Sequence, residues 1–369
     1  MNRIEKALMH GLFVHLHHNI DKAIDFNSFK QLNEKVAKTW PGLLLVGPDA
    51  NDDAGVFGLP GGGDTFVVGK LESHNSPCVP RPYDAAATGA GGAMRDVVAM
   101  GGRPLFLLDF IGTMPLDREV LVGPCGFDGE CDCGECVVMT SGDRVNLMLK
   151  GVRDMCGAMD VFVVGGGFST SFNDIVPACV VAVFGKLITE KPLTKPAKHA
   201  GDKLIVIGET GTDGNDTLYR AGLAEEMRPA LALFGEERAT MEASLAAFKT
   251  GNINACSDFG AAGAGAAVCE SARYGGLGAR VDLSKMPIRD AEITPEEILI
   301  CETQARMLLQ VDPADADETL VAILKTGAKA AVVGEITDDD KAVFTYGEDI
   351  IATIPNRPSD ETMAELNKM

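Results

Sequence analysis

Residues 67–104, VVGKLESHNSPCVPRPYDAAATGAGGAMRDVVAMGGRP, constrain this chain more than any other stretch. The run opens as a short apolar strand. It then sets Lys70, Glu72, Ser73, His74 and Asn75 into six positions, where the alternation of an extended segment is expected to turn side chains toward a shared face. Folding alone gives no reason for so many polar groups in so short a run. After the prolines, DAAATGAGGAMRD at 84–96 predicts a helix of small residues, whose glycines cost stability unless another backbone or a ligand comes very close. Such a helix is built for contact.

The run KLESHNSP followed by AAATGAGGAMRDVVAMGGRP resembles the first-half signature of the formylglycinamide ribonucleotide amidotransferases, also called phosphoribosylformylglycinamidine synthases. Their superfamily includes aminoimidazole ribonucleotide synthetase, selenophosphate synthetase, thiamine-phosphate kinase and the hydrogenase-maturation dehydratase. Further matches follow in family order: DDAGV at 52–56, GETGTDGND at 208–216, SDFGAAG at 257–263 and ETQARMLL at 302–309. The resemblance implies an α/β (α+β) class and a two-domain aminoimidazole ribonucleotide synthetase-like fold. Its N-terminal sheet would form a dimer interface and its C-terminal part an α/β sandwich. The expected organisation is an N-terminal helical segment over 1–44, a synthetase-like ATP-binding domain over 45–190 and a C-terminal synthetase-like domain over 200–356. A Pro- and Lys-rich link at 189–201 separates the two domains.

The length of 369 residues and a 46% hydrophobic content agree with two domains and a substantial core. A formal charge of −20 excludes a nucleic-acid or anionic-membrane partner, because phosphate surfaces need clustered Lys and Arg. No apolar run reaches the roughly 18 to 20 residues that span a bilayer, and the N-terminus has no signal pattern. A soluble, cytoplasmic protein is expected. Cysteines isolated in apolar stretches, Cys179, Cys256, Cys269 and Cys301, read as reduced buried thiols and fit that compartment.

Residue by residue, the resemblance implies magnesium ligation by Glu72, Asp96, Asp258 and Asp53, the last beside Asp52 in an acidic loop. Hard carboxylate oxygens suit that cation, which needs only one or two of them plus phosphates. An Asp- and Gly-rich turn is the plain alternative at 52–53. Lys70 matches an ATP-contacting lysine. Gly211 and Gly214 match a loop that approaches the ATP phosphates, where backbone N–H groups can form an anion nest and a helix starting near Asp216 adds its positive end. Substrate contacts fall on Ser73, Asn75, Arg95, Glu302, Thr303 and Gln304. A guanidinium suits phosphate or carboxylate recognition. His74 matches a proton acceptor, in keeping with a side chain that exchanges protons near neutral pH, although a lone histidine is more often a structural hydrogen-bonding group.

The chain also departs from its relatives. The family reads SHNHP or THNHP where this chain has Ser76, its substrate-contacting glutamine is replaced by Ala232, and a WSEHCSY-type segment has no counterpart. The stretch 123–137 carries Cys125, Cys131, Cys133 and Cys136, a spacing open to zinc, an iron–sulfur cluster, sulfur transfer or a reduced flexible loop. His10, His15, His17 and His18 read either as a helical metal face or as a solvated one.

The implied activity is that of an ATP- and Mg2+-dependent C–N ligase. ATP phosphorylates an amide or carbonyl oxygen, ammonia attacks the activated carbon, and phosphate departs. No glutaminase nucleophile region is recognisable, so ammonia comes from solution or from a separate glutaminase subunit. With a single superfamily half in hand, a homodimer is expected, as in aminoimidazole ribonucleotide synthetase. The alternatives are a divergent enzyme that phosphorylates another substrate, in sulfur or selenium transfer or metallocofactor maturation, and a non-catalytic nucleotide-binding subunit.

Overall fold

The computed structural model describes residues 1–15, 26–50, 52–124, 126, 131, 134–172 and 174–367. The first half supplies strands β1 (Leu44–Val46), β2 (Gly55–Gly58), β3 (Phe66–Ser73), β4 (Gly102–Gly112), β5 (Glu119–Val122), β6 (Val137–Thr140), β7 (Phe162–Ser169) and β8 (Ala178–Leu187). Six of them form one sheet in the order β1-β2-β3-β8-β4-β7, while β5 and β6 pair separately. The second half supplies β9 (Lys203–Ile207), β10 (Ile253–Asp258), β11 (Gly278–Asp282), β12 (Met307–Val311), β13 (Ala330–Thr337), β14 (Lys341–Tyr346) and β15 (Asp349–Pro355). These form a seven-stranded sheet in the order β10-β12-β9-β13-β11-β14-β15.

Alternation along the strands decides how the layers stack. In β9, Ile205 and Ile207 belong to one core and Leu204 and Val206 to the other; Met307 and Leu309 of β12 divide from Leu308 in the same way. The second sheet is therefore covered on both faces. One face meets the helices Pro82–Ala99, Phe234–Phe248 and Ala316–Leu324, while Pro82–Ala99 and Ser141–Met159 cover the inner face of the first sheet. The other face meets the Gly263–Gly275 helix and the N-terminal Arg3–His10 helix. Asn2 and Glu5 cap that N-terminal helix reciprocally, and the Glu5 carboxylate also accepts the Thr353 N–H at 2.9 Å, which pins it to β15. His17 and His18 lie outside the described residues.

The Pro82–Ala99 helix starts with proline at its first turn and is buried along most of its length. Its glycines are used for close approach: a Cβ at Gly89 would lie 2.7 Å from the His74 Cβ. Where the Ser141–Met159 helix crosses it, a Cβ at Gly151 would lie 2.2 Å from the Tyr83 carbonyl oxygen. A Thr140–Asp143 capping box starts the crossing helix, and Asp160 ends it in the left-handed region at φ 55°.

The outer face of the first sheet is left open. Leu71, Phe106, Leu108 and Phe162 are exposed there, with Phe106 and Phe162 stacked at 6.2 Å between ring centroids. Among the described residues, no helix is long and apolar enough to cross a membrane.

Candidate functional site

The two halves meet around a cleft of ≈ 500 Å³. From the first half it is lined by Asp53, Lys70, Glu72, His74, Arg95 and Asp96, and from the second by Asp258, Glu302 and Gln304. Strand parity accounts for the first group. Lys70 and Glu72 alternate on the inner face of β3 with buried Val68, and His74 continues that side, whereas Leu71 and Ser73 point away and are exposed. The expectation of one shared face for all five polar residues is thereby corrected: Ser73 has the wrong parity, and Asn75 turns its Oδ1 to the Cys179 N–H at 2.7 Å. A slightly larger cavity, ≈ 550 Å³, opens among Ile4, Leu218, Arg228 and Thr294 and gathers none of the predicted site residues.

At the floor of the cleft, Asp53, Asp96 and Asp258 each place one oxygen within 4.8 Å of the others. Lys70 stands among them, its Nζ 3.0 Å from Asp96, 3.4 Å from Glu72 and 2.9 Å from the Asp53 carbonyl oxygen. Burial pushes Asp258 up to about 6 and pushes Asp96 well above the usual carboxylate range. Burial alone would lower Lys70, but Asp96, Glu72 and Asp53 together hold it above the ordinary lysine range. One acceptor is left over: Asp53 Oδ2 is buried without a hydrogen-bond partner. Three clustered carboxylates, one of them with an orphaned buried oxygen, fit a hard divalent cation. Glu72 is not one of the three grouped carboxylates and reaches them through Lys70, 3.4 Å away.

Arg95 is 3% exposed and fully engaged. Its Nη1 donates to both carboxylate oxygens of Glu237 at 2.8 Å, its Nε to Asp258 at 3.3 Å, and its Nη2 to Gln304 Oε1 at 2.6 Å. It touches the cleft as the member that aligns Asp258 with Gln304.

His74 is oriented by Nδ1, which lies 2.5 Å from the Ala85 carbonyl oxygen. A carbonyl can only accept, so Nδ1 carries the proton and Nε2 keeps the lone pair. Burial lowers the imidazole below its ordinary value despite that bond. His74 is therefore neutral near pH 7 with Nε2 unprotonated, the form a proton acceptor needs.

Other predicted residues lie beside the cleft. Thr303 is fully buried, and its hydroxyl accepts the Gly211 N–H at 3.0 Å. Gly214, at φ 69°, leaves room for the backbone of Glu302, whose N–H donates to the Gly214 carbonyl oxygen at 2.6 Å. Gly211, Gly214 and Thr303 thus back the wall from which Glu302 and Gln304 emerge, and the helix after them begins at Asp216. In the Cys-rich loop, Cys125 and Cys133 lie outside the described residues; Cys131 and Cys136 are described, and neither lines the cleft. Among the described residues, the grouping of potential metal ligands falls at Asp53, Asp96 and Asp258 and includes no cysteine of this loop, so zinc or an iron–sulfur cluster there is without support.

Three charged residues escaped the sequence reading. Lys195, in the link between the halves, holds Asp53 Oδ1 at 2.6 Å and Glu270 at 2.9 Å, and Glu237 is the counter-charge of Arg95. Lys195 is one of three lysines in that link and carries no signal of its own. Glu237 and Glu270 carry none.

Two stacked α/β halves close on a buried acid cluster, an architecture that comparison with known proteins assigns to a family. Residues 51–187 match the family model described as AIR synthase related protein, N-terminal domain, and residues 199–347 the corresponding C-terminal domain. The chain belongs to the AIR synthase related family. It is 35% identical over 325 residues to the phosphoribosylformylglycinamidine synthase subunit PurL of Methanopyrus kandleri, covering 85% of this chain and 41% of that protein. Against PurL of Methanocaldococcus jannaschii it is 32% identical, covering 96% of this chain and 46% of the relative. Among solved structures, Thermotoga maritima PurL complexed with FGAR superposes with a TM-score of 0.69 at 27% identity, covering 87% of this chain and 49% of that one. The same protein has been solved complexed with ATP and as PurLQS. The chain spans less than half the length of these curated relatives.

Proposed function

We propose that this chain is an ATP- and magnesium-dependent C–N ligase that activates the amide oxygen of formylglycinamide ribonucleotide for attack by ammonia. The observation that carries this reading is the Asp53–Asp96–Asp258 cluster, with its orphaned oxygen, beside Lys70 in a cleft that also holds a neutral histidine. PurL similarity supplies the substrate class. Magnesium, when bound, would offset phosphate charge during phosphoryl transfer. Asp53, Asp96 and Asp258 would hold it, with Glu72 completing the negative wall. Lys70 stabilises charge on the transferred group, His74 Nε2 takes the proton released as ammonia adds, and Arg95 aligns Gln304 and Asp258. Residues 45–190 serve as the ATP-binding half and 200–356 as the half that completes the substrate side. Ammonia is supplied by solution or by a separate glutaminase subunit. The buried thiols Cys256, Cys269 and Cys301 suit a reducing, cytoplasmic setting. ATP turnover should require both formylglycinamide ribonucleotide and ammonium; turnover indifferent to the ribonucleotide defeats the proposed substrate.

The pH dependence follows from Asp258. Its folded form, pushed up to about 6 from an ordinary 3.8, binds its proton more tightly than the unfolded chain does. In the absence of metal, this group makes stability rise as pH falls from about 7 toward 4. Magnesium needs the carboxylate, so its affinity should weaken by about tenfold per pH unit below 6. Thermal unfolding between pH 5 and 8 should therefore show stability rising toward acid without magnesium and that rise abolished at saturating magnesium; identical slopes in both conditions remove Asp258 from the metal site.

The open outer face of the first sheet supports a homodimer. Leu71, Phe106, Leu108 and Phe162 form an apolar surface of the kind that marks a protein interface. Light scattering should give twice the chain mass, and Phe106→Asp with Phe162→Asp should halve it. A wild-type monomer at every concentration excludes the pairing.

A further inference from the structure

No role falls to Arg306 from the sequence, yet its whole side chain is sealed from solvent. Its Nε donates to the Thr303 carbonyl oxygen at 2.8 Å, Nη1 to the Thr210 hydroxyl at 2.9 Å, and Nη2 to the Cys301 carbonyl oxygen at 2.6 Å. The guanidinium carbon lies 4.6 Å from the centroid of the Phe259 ring, the residue after Asp258. These partners are carbonyls, a hydroxyl and a π-face rather than a carboxylate. A buried cation without an ion pair is costly, so its presence calls for a gain elsewhere.

That gain lies in the turn it grips. Cys301 and Thr303 flank Glu302, so bonds to both carbonyls fix the backbone on either side of a cleft-lining carboxylate. The next residue but one, Ala305, sits at φ 63°, a conformation that L side chains rarely adopt. Gly208 makes room for it, since a Cβ there would lie 2.1 Å from the Ala305 carbonyl oxygen, and the Thr240 hydroxyl donates to that oxygen at 2.8 Å. We infer that Arg306 is a positioning residue: its planar fork holds the 301–305 turn in the strained shape that presents Glu302 and Gln304 to the substrate. A lysine cannot replace it, because one ammonium nitrogen cannot reach three acceptors spread along the edge of a guanidinium.

The inference deepens the proposed ligase reading and rests on it for the identity of the ligand. Arg306→Lys keeps the charge and removes the fork. Calorimetric affinity for formylglycinamide ribonucleotide should fall by about 10- to 100-fold, while magnesium-ATP affinity changes little. In turnover, KM for the ribonucleotide should rise more than kcat falls, a split that general loosening of the fold would not produce. Hydrogen exchange at the Glu302 amide, bonded to the Gly214 carbonyl oxygen, should quicken in the ligand-free variant. If Arg306→Lys does not fold, Thr210→Val removes one acceptor at constant shape and should show the same pattern more weakly. Wild-type ribonucleotide affinity and wild-type exchange in a folded variant overturn the inference. A wild-type protein that binds no ribonucleotide refutes the proposed substrate instead, and exchange at Glu302 then decides the role of Arg306 by itself.

Discussion

Replacing Asp96 with Asn should reduce magnesium-dependent ATP turnover by about 10²- to 10³-fold while leaving the protein folded. Asp96 is 6% exposed, lies 3.0 Å from Lys70, and shares the acid cluster with Asp53 and Asp258. Burial and the neighbouring acids make its ionised form expensive, so a neutral isostere removes an unfavourable charge. Stability should hold or rise as function falls, the pattern expected where a site is paid for in stability. The measurement is an ATP titration by calorimetry, with and without magnesium, alongside thermal unfolding. Unchanged metal dependence would remove Asp96 from the site; a collapse in stability would make it a structural ion-pair partner of Lys70.

Much of this site could be read in the sequence because its residues sit in motifs whose local geometry is simple. Lys70, Glu72 and His74 occupy alternate positions along and just beyond β3, and the small-residue helix that supplies Arg95 and Asp96 needs its glycines to lie against them. Asp258 ends β10, again beside small residues. What could not be read is direction and partnership. Ser73 belongs to the same motif, yet period-two alternation sends it to the outer face. Thr303 belongs to the substrate segment, yet its hydroxyl is consumed in bonds to the Gly211 loop. Lys195, Glu237 and Glu270 become site residues only through tertiary contacts across the interface of the two halves. A lysine in a linker and glutamates in ordinary helices carry no local signature of that fate.

Glu237 allows the largest stability effect to be forecast. Breaking a buried, bidentate ion pair leaves the surviving charge desolvated, which costs about 3–5 kcal/mol. Glu237 is 2% exposed and Arg95 3%, and the removed partner is the one that takes both Nη1 contacts. Glu237→Gln should therefore destabilise the protein by about that amount in urea unfolding. The same helix provides a matched control. Glu242 pairs with Arg103 at 2.9 Å, but both side chains are more than a third exposed, so Glu242→Gln should cost less than about 1 kcal/mol. The buried variant should also change the site. Arg95 keeps only Asp258 and Gln304 as side-chain partners and draws Asp258 away from the metal cluster, so magnesium-dependent nucleotide affinity should fall with stability. Equal costs for the two glutamates would show that burial does not govern the Arg95 pair; lost stability with unchanged metal affinity would show that Arg95 does not orient Asp258.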